Sequence, residues 1–158
     1  MKKLFAILLI LCLVNTIYAQ DSLAEKARDT KPFLNEKAKA YKISLHLVTI
    51  QVEKEQLWLG FTIHNYSKLS YPVDFIRLYI KDRKQTKRTS AQELEIVPIY
   101  IDSVTNVPAK STVRFVLAVP KFIIPDKKEC LVEIFESNGG RNLSLQIKNK
   151  ELFKAKSF

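Results

Sequence analysis

Glycine is scarce in this sequence, with three residues among 158. Phosphate-binding loops need several glycines close together, so the P-loop and dinucleotide-binding motifs are excluded. The sequence also lacks the GxSxG motif of hydrolases and the HExxH motif of zinc proteases. Glu133 and Glu136 are close in sequence, but a strand places them on opposite faces, where they cannot act on one bond. We therefore expect no enzymatic activity.

Cysteine and histidine are too few to build a metal site, since the chain has two of each. Cys12 lies in the apolar N-terminal segment. Without that segment only Cys130 remains, which excludes an intramolecular disulfide and a cysteine-cluster zinc site and favours a packed thiol. His46 and His64 fall in different predicted strands, with no partner at the spacing of metal ligands. The sequence predicts neither a metal nor a cofactor.

The first nineteen residues have the layout of a secretory signal peptide. Lys2 and Lys3 precede an apolar run over residues 4–14, and the small residue Ala19 stands just before Gln20. The apolar run is about eleven residues long, whereas a membrane-spanning helix needs about twenty. We predict cleavage after Ala19 in preference to an uncleaved anchor. The predicted location is the periplasm or the periplasmic face of the outer membrane.

Positive charge dominates the remaining chain. The net charge is +10, and it would be +8 without residues 1–19, which contain two lysines and no acidic residue. Such an excess favours anionic partners, namely lipid headgroups, polysaccharide, nucleic acid or an acidic protein face, without choosing among them. A hydrophobic content of 47% is enough to build one folded domain.

Residues 20–40 are polar and are predicted to form a mobile lead with a short helix, which docks through Phe33 and Leu34. Alanine, lysine and glutamate favour a helix here, but Pro32 interrupts the pattern and each half is too short to be stable alone. A linker to another domain is the alternative interpretation.

From residue 41 to residue 150 the apolar pattern has a period of two. It predicts seven strands, near residues 41–53, 57–65, 75–82, 93–104, 113–119, 131–135 and 143–147. A change of phase in the first strand predicts a β-bulge, and Pro98 predicts an edge strand or a second bulge. In the second strand Leu57, Leu59, Phe61 and Ile63 are expected to face inward, and Trp58 outward.

Seven short strands separated by turns predict an all-β fold, an immunoglobulin-like β-sandwich of about seven strands. A small barrel is the alternative. The Asn138-Gly139-Gly140 sequence predicts the last hairpin. Residues 151–158 are predicted to form a basic tail that is anchored by Leu152 and Phe153.

The third predicted strand leads into a strongly basic loop. The strand and the loop together supply the candidate interface residues Arg77, Lys81, Arg83, Lys84, Lys87 and Arg88. These cations could bind phosphate groups or an acidic protein, in contacts that weaken with salt. Alternatively, the charges keep a solvated hairpin from aggregating through its edge. Residues 83–90 contain no aromatic side chain that could stack on a base, so specific nucleic-acid binding is not predicted.

Several ordered blocks of the chain resemble the C-terminal region of the conjugative transposon protein TraN of Bacteroidetes. The blocks are Asn65 with Ser67, Asp74-Phe75-Ile76-Arg77, residues 82–92 with Lys87-Arg88-Thr89, residues 122–127 and residues 136–143. The resemblance extends over residues 41–155. Members of that family carry a further β-rich domain before this region. The chain could therefore be a shortened paralogue, a partner of a separately encoded half, or a protein that uses the domain for other work.

The resemblance implies a structural subunit of a conjugative type IV secretion (DNA transfer) apparatus. Its β-sandwich would contribute protein-protein contacts to the outer-membrane core complex, with a lipoprotein and a channel-type subunit as partners and a homo-oligomer as a further option. The alternative is a free periplasmic binding or adaptor module, which uses the basic loop to hold an anionic ligand or an acidic partner.

Overall fold

The computed structural model describes residues 19–83 and 93–158, which form two facing β-sheets with a helix on the outside of one of them. The predicted all-β sandwich is confirmed. Residues 1–18 of the predicted signal peptide lie outside the described residues, as does the segment 84–92 of the basic loop.

The described residues form eleven strands and two helices. The strands are, in chain order, β1 (Glu36–Ala40), β2 (Ile43–Glu53), β3 (Gln56–Asn65), β4 (Tyr71–Asp82), β5 (Leu94–Glu95), β6 (Tyr100–Ile101), β7 (Asn106–Val107), β8 (Thr112–Pro120), β9 (Lys128–Glu136), β10 (Leu143–Ile147) and β11 (Lys156–Ser157). Helix α1 contains residues 19–29, and helix α2 is Asn149–Leu152.

The first sheet has the strand order β1-β2-β3-β8-β6. Strand β11 pairs in parallel with the C-terminal end of β2. The second sheet has the order β10-β9-β4-β5, and β7 pairs with the start of β4. All the other pairs are antiparallel. Strand β4 begins, like β8 and β10, at the end of the sandwich where β3 and β9 finish. The loops that connect the strands therefore lie at two opposite ends of the sandwich.

The core lies between the sheets and is built by alternation along the strands. The four residues of β3 that were predicted to face inward are all buried, and Phe61 stacks on Phe115 of β8 with ring centroids 5.2 Å apart. Burial of apolar area contributes about 25 cal/mol per Å², so these buried side chains stabilise the fold.

The β-bulge predicted in the first strand is present in β2. The register with β3 shifts between Leu47 and Thr49, so Val48 has no partner on β3. The Val48 carbonyl instead accepts hydrogen bonds from the backbone N–H groups of Phe33 and Leu34, each at 3.0 Å. Leu34 is buried and Phe33 packs against the core, so docking of the lead through these two residues is confirmed.

Trp58 faces outward from the core, as predicted, and helix α1 covers it there. Trp58 points away from the core but is fully buried, because Ala24 and Ala27 of α1 pack on it together with Val116 and Ala118 of β8. The helix is fastened by an ion pair between Arg28 Nε and Asp102 Oδ2 at 3.0 Å. Alternation along β3 shows which face Trp58 lies on, but not that a helix covers that face.

The sandwich also extends further at both ends of the chain than the predicted range of 41–150. Glu36–Ala40 was assigned to the partly helical lead but forms strand β1 on the edge of β2. Its alanines suit a helix, yet they alternate with lysines, so a strand turns Ala38 and Ala40 toward the core. In the predicted basic tail, Leu152 of α2 is buried but Phe153 is 73% exposed, so only one of the two expected anchors packs.

Pro98 lies in no strand, so the prediction that it belongs to an edge strand or a bulge is wrong, and the predicted strand 93–104 is divided into short strands. The two-residue strand β5 pairs with β4 of the second sheet, and the two-residue strand β6 pairs with β8 of the first sheet. The chain therefore crosses from one sheet to the other between Glu95 and Tyr100, and Pro98 lies in that crossing.

Candidate interaction surfaces

The predicted interface residues Arg77 and Lys81 lie on the outer face of strand β4, where both are already paired. Arg77 contacts Glu133 of β9 at 2.9 Å and Glu93 at 3.4 Å. Lys81 lies 3.8 Å from Glu129, its cross-strand partner on β9. Two of the six candidate cations are thus largely neutralised within the molecule, which disfavours them as ligands for an anion.

Arg83, the next candidate, holds the end of the β4–β9 ladder together. Its backbone N–H donates to the Lys127 carbonyl at 3.0 Å, and its Nε donates to the Lys128 carbonyl at 2.8 Å. The remaining candidates, Lys84, Lys87 and Arg88, lie outside the described residues. The structure therefore places Arg77 and Lys81 on β4 and Arg83 directly after the end of that strand.

Aromatic side chains accompany the ion pairs on this outer face of the second sheet. Phe75 of β4 stacks on Phe135 of β9 with ring centroids 4.3 Å apart, and Phe75 is 48% exposed. The Arg77 guanidinium lies over the Tyr79 ring at 4.3 Å and over the Phe135 ring at 5.6 Å. We call this group the aromatic face, defined by Phe75, Arg77, Tyr79, Glu133 and Phe135.

Tyr79 fixes the position of Glu133 in the aromatic face. Its hydroxyl donates to Glu133 Oε1 at 2.9 Å, while Arg77 Nε donates to Glu133 Oε2 at 2.9 Å. Burial and the hydrogen bond to Glu133 raise the pKa of Tyr79 to about 12, so this phenol is a hydrogen-bond donor at neutral pH. Glu136, in contrast, pairs with Arg141 in the β9–β10 hairpin. Glu133 and Glu136 therefore bind different partners, in agreement with their expected positions on opposite faces of the strand.

The aromatic face offers apolar contact area with its charges already satisfied. Aromatic residues and arginine are enriched in protein interfaces, whereas lysine and glutamate are depleted. A partner that covers Phe75 and Phe135 would bury aromatic area without leaving a charge unpaired. This arrangement suits a protein surface better than a small anionic ligand.

A second apolar surface lies where the chain crosses between the sheets. Its exposed side chains are Leu94 (64%), Val97 (70%), Ile99 (40%) and Ile101 (44%). Phe75 and Ile101 line the same shallow cleft, which also contains Asp74 at the bulge of β4. The crossing segment therefore continues the aromatic face around the edge of the sandwich.

The two histidines come together on the first sheet, which sequence spacing did not indicate. Cross-strand pairing of β2 with β3 brings the rings of His46 and His64 within 5.0 Å of each other. His64 Nδ1 lies 2.8 Å from Thr112 Oγ1, and His46 Nε2 contacts Ser44. Burial lowers the pKa of His46, and its neighbours His64, Lys37 and Lys39 add to this effect.

Metal binding finds no support in the described part of the chain, where no group of three His, Cys, Asp or Glu side chains is placed to hold an ion. The Cys130 thiol is fully buried, and burial raises its pKa to about 12, which makes it an unreactive packed thiol. None of the helices among the described residues combines the length and the hydrophobicity that a bilayer crossing requires.

Comparison with known proteins identifies a family without assigning an activity. No curated protein matches the chain, and no solved structure matches it either. A family model described as "Domain of unknown function (DUF4138)" matches residues 11–157.

Proposed function

The chain belongs to the DUF4138 family of domains of unknown function, and we propose that it is a non-enzymatic structural subunit of an exported, envelope-bound machine. The resemblance to TraN indicates a conjugative type IV secretion apparatus. In this role the β-sandwich supplies protein-protein contacts to the outer-membrane core complex, with a lipoprotein and a channel-type subunit as partners.

The observation that carries this proposal is the stack of the exposed Phe75 on the half-buried Phe135 in the aromatic face. A single exposed apolar residue is common on soluble proteins and needs no explanation. Here two aromatic rings stack beside the Arg77–Glu133 ion pair, and such a contiguous apolar patch is typical of an interaction site. Phe75 and Arg77 also fall within one of the sequence blocks that carry the resemblance. The contact surface and the resemblance thus involve the same strand.

The alternative of a free adaptor that holds an anion through the basic loop receives less support. Arg77 and Lys81 are paired with Glu133 and Glu129, and separating either pair would leave a carboxylate without its partner. A soluble monomer that binds no envelope protein would nevertheless favour this alternative.

Affinity purification of the tagged protein from envelope extracts of its own host tests the proposal. We expect a lipoprotein and a channel-type subunit to be recovered with the wild type and to be lost with Phe75→Glu. Phe153→Glu is the matched control, because Phe153 is also exposed but lies after α2, outside the aromatic face. Recovery of the wild type alone would refute the proposal, and equal loss in both variants would remove the aromatic face from it.

A further inference from the structure

Three loops meet at one end of the sandwich and form a surface that we call the tip, defined by residues 41–42, 65–70 and 108–111. The backbone N–H of Tyr66 donates to the Lys42 carbonyl at 2.9 Å. The backbone N–H of Lys110 donates to the Ser67 carbonyl at 3.2 Å, and Lys110 Nζ donates to the Tyr66 carbonyl at 2.6 Å. The three loops are therefore joined to one another directly.

A buried asparagine holds the tip from beneath. The side-chain amide of Asn65 donates to the carbonyls of Leu69, Val107 and Pro108 at 2.8–3.1 Å. Its Oδ1 accepts from the backbone N–H of Ser67 at 3.0 Å and from the Ser67 hydroxyl at 2.7 Å. Asn65 is 1% exposed, so this network is shielded from water. The tip is preorganised by these bonds, and its exposed side chains are presented from a fixed backbone.

The exposed side chains of the tip are of two kinds. Tyr41 (59%), Tyr66 (51%) and Leu69 (68%) are large and apolar, and they stand beside the exposed lysines Lys42, Lys68 and Lys110. Among the described residues, none of these lysines forms an ion pair. Arg77 of the aromatic face is paired, whereas these lysines of the tip are not.

Acidic residues are absent from all the segments that build the tip. Residues 37–52, 56–73 and 103–125 contain no aspartate or glutamate, although 16 such residues occur in the chain. Glu136 approaches this end from β9, but Arg141 neutralises it and also binds the Ser70 carbonyl. The adjoining outer face of the first sheet adds Lys37, Lys39 and the histidine pair.

We propose that the tip is a docking surface for an anionic phospholipid membrane. Lysines at a membrane surface are attracted to anionic headgroups, and tyrosine is enriched at the headgroup level because its ring is apolar and its hydroxyl polar. An exposed leucine is accommodated by lipid chains but contributes nothing to recognition of phosphates or bases. The mixture of Leu69 and the two tyrosines with lysines favours a membrane over a nucleic acid. This proposal does not depend on the proposed function.

Binding to vesicles tests the tip with a closely matched pair of variants. Lys42 and Lys110 have positive φ angles of 61° and 57° in the tip, and Lys54 and Lys127 have φ angles of 54° and 63° at the opposite end of the sandwich. Asparagine tolerates this conformation. The double variants Lys42→Asn/Lys110→Asn and Lys54→Asn/Lys127→Asn therefore lose the same charge in the same backbone geometry.

The proteins begin at Gln20, which removes the apolar N-terminal segment but keeps all the strands and nearly all of α1. Unchanged thermal midpoints establish that the variants are folded. We expect the wild type to sediment with vesicles of phosphatidylcholine and phosphatidylglycerol but not with phosphatidylcholine alone. The tip variant should bind about thirtyfold more weakly, from about 1 kcal/mol for each lysine near the surface. The control variant should bind like the wild type.

Leu69→Ser provides a second readout, since it removes apolar contact and leaves the charge unchanged. We expect it to weaken the part of vesicle binding that survives at high salt, where lysine attraction is screened. Equal sedimentation with the two vesicle types would overturn the proposal, and so would equal losses in the tip and control variants. Binding to a single-stranded oligonucleotide in place of vesicles would overturn it in favour of nucleic acid.

Discussion

Thr49 lies directly opposite Gly60 across the β2–β3 ladder, and its hydroxyl fills the space in which a side chain at position 60 would begin. The bulge at Val48 determines this pairing, because Thr49 is the first residue after the bulge that pairs with β3. Both residues lie on the face of the first sheet that α1 covers. Thr49 is fully buried, and its Oγ1 has no hydrogen-bond partner among the described residues.

Gly60→Ala is expected to lower the free energy of unfolding by about 1–3 kcal/mol, since the new methyl group overlaps the Thr49 hydroxyl in a packed layer. Thr49→Ala should restore most of this loss in the double variant, because it removes the overlapping atom. Urea denaturation of the four proteins in the cycle measures the coupling. Strictly additive effects would contradict the steric explanation.

Asn65→Ala is expected to destabilise the protein by about 3 kcal/mol, because it removes the buried amide that donates to the carbonyls of Leu69, Val107 and Pro108. Asn65→Asp should be at least as harmful, since a carboxylate would face the same carbonyl oxygens. Ser67→Ala is the control and should cost much less, because Ser67 lies at the exposed edge of the network. Chemical denaturation ranks the three variants, and a mild effect of Asn65→Ala would contradict the role assigned to this side chain.

Gly139 and Gly140 are expected to differ sharply although they are adjacent. A methyl group at Gly139 would overlap the Glu136 carboxylate that Arg141 holds, whereas one at Gly140 would meet no atom within 4 Å. Neither glycine has a positive φ, so backbone strain does not separate them. We expect Gly139→Ala to cost about 1–2 kcal/mol and Gly140→Ala to be neutral or slightly stabilising. Thermal denaturation of both variants decides, and similar midpoints would refute the steric argument.

The Glu136–Arg141 ion pair should make stability depend on pH in the acid range. The hydrogen bonds from Arg141 lower the pKa of Glu136 below its ordinary value of 4.5. Its contribution is therefore complete above about pH 4.5 and is lost as the pH falls through the lower, folded-state pKa. Wild type should be more stable than Glu136→Gln at pH 7, and the difference should shrink as the pH falls below 4.5. A difference independent of pH would show that the charge is not involved.

Alternation along the chain was sufficient to predict the central strands, because β2, β3, β8 and β9 each have one face in the core. The same signal located the bulge in β2, where the phase of the apolar residues changes. Alternation failed for Glu36–Ala40, since alanine is small enough to face a core yet also favours a helix. A local pattern could not decide between these two states until β2 supplied an edge for pairing.

Surfaces were harder to predict than the core, because they are assembled from segments that are distant in sequence. The basic loop drew attention to Arg77 and Lys81, yet the acidic residues that pair with them come from β9, about fifty residues later. The tip shows the converse. Its three segments without acidic residues can be read in the sequence, but only the strand order brings Lys42, Tyr66 and Lys110 together.

Trp58 is the single tryptophan of the chain, and it lies beneath α1 with its ring 5.6 Å from that of Tyr100 and 6.0 Å from that of Phe158. Its fluorescence is therefore an intrinsic optical sensor of one event, the lifting of the helix from the first sheet. Hydration of the indole would shift its emission to longer wavelength while the circular dichroism of the strands stayed constant. A partner that displaces α1 could thus be detected in solution without a label, and separately from global unfolding.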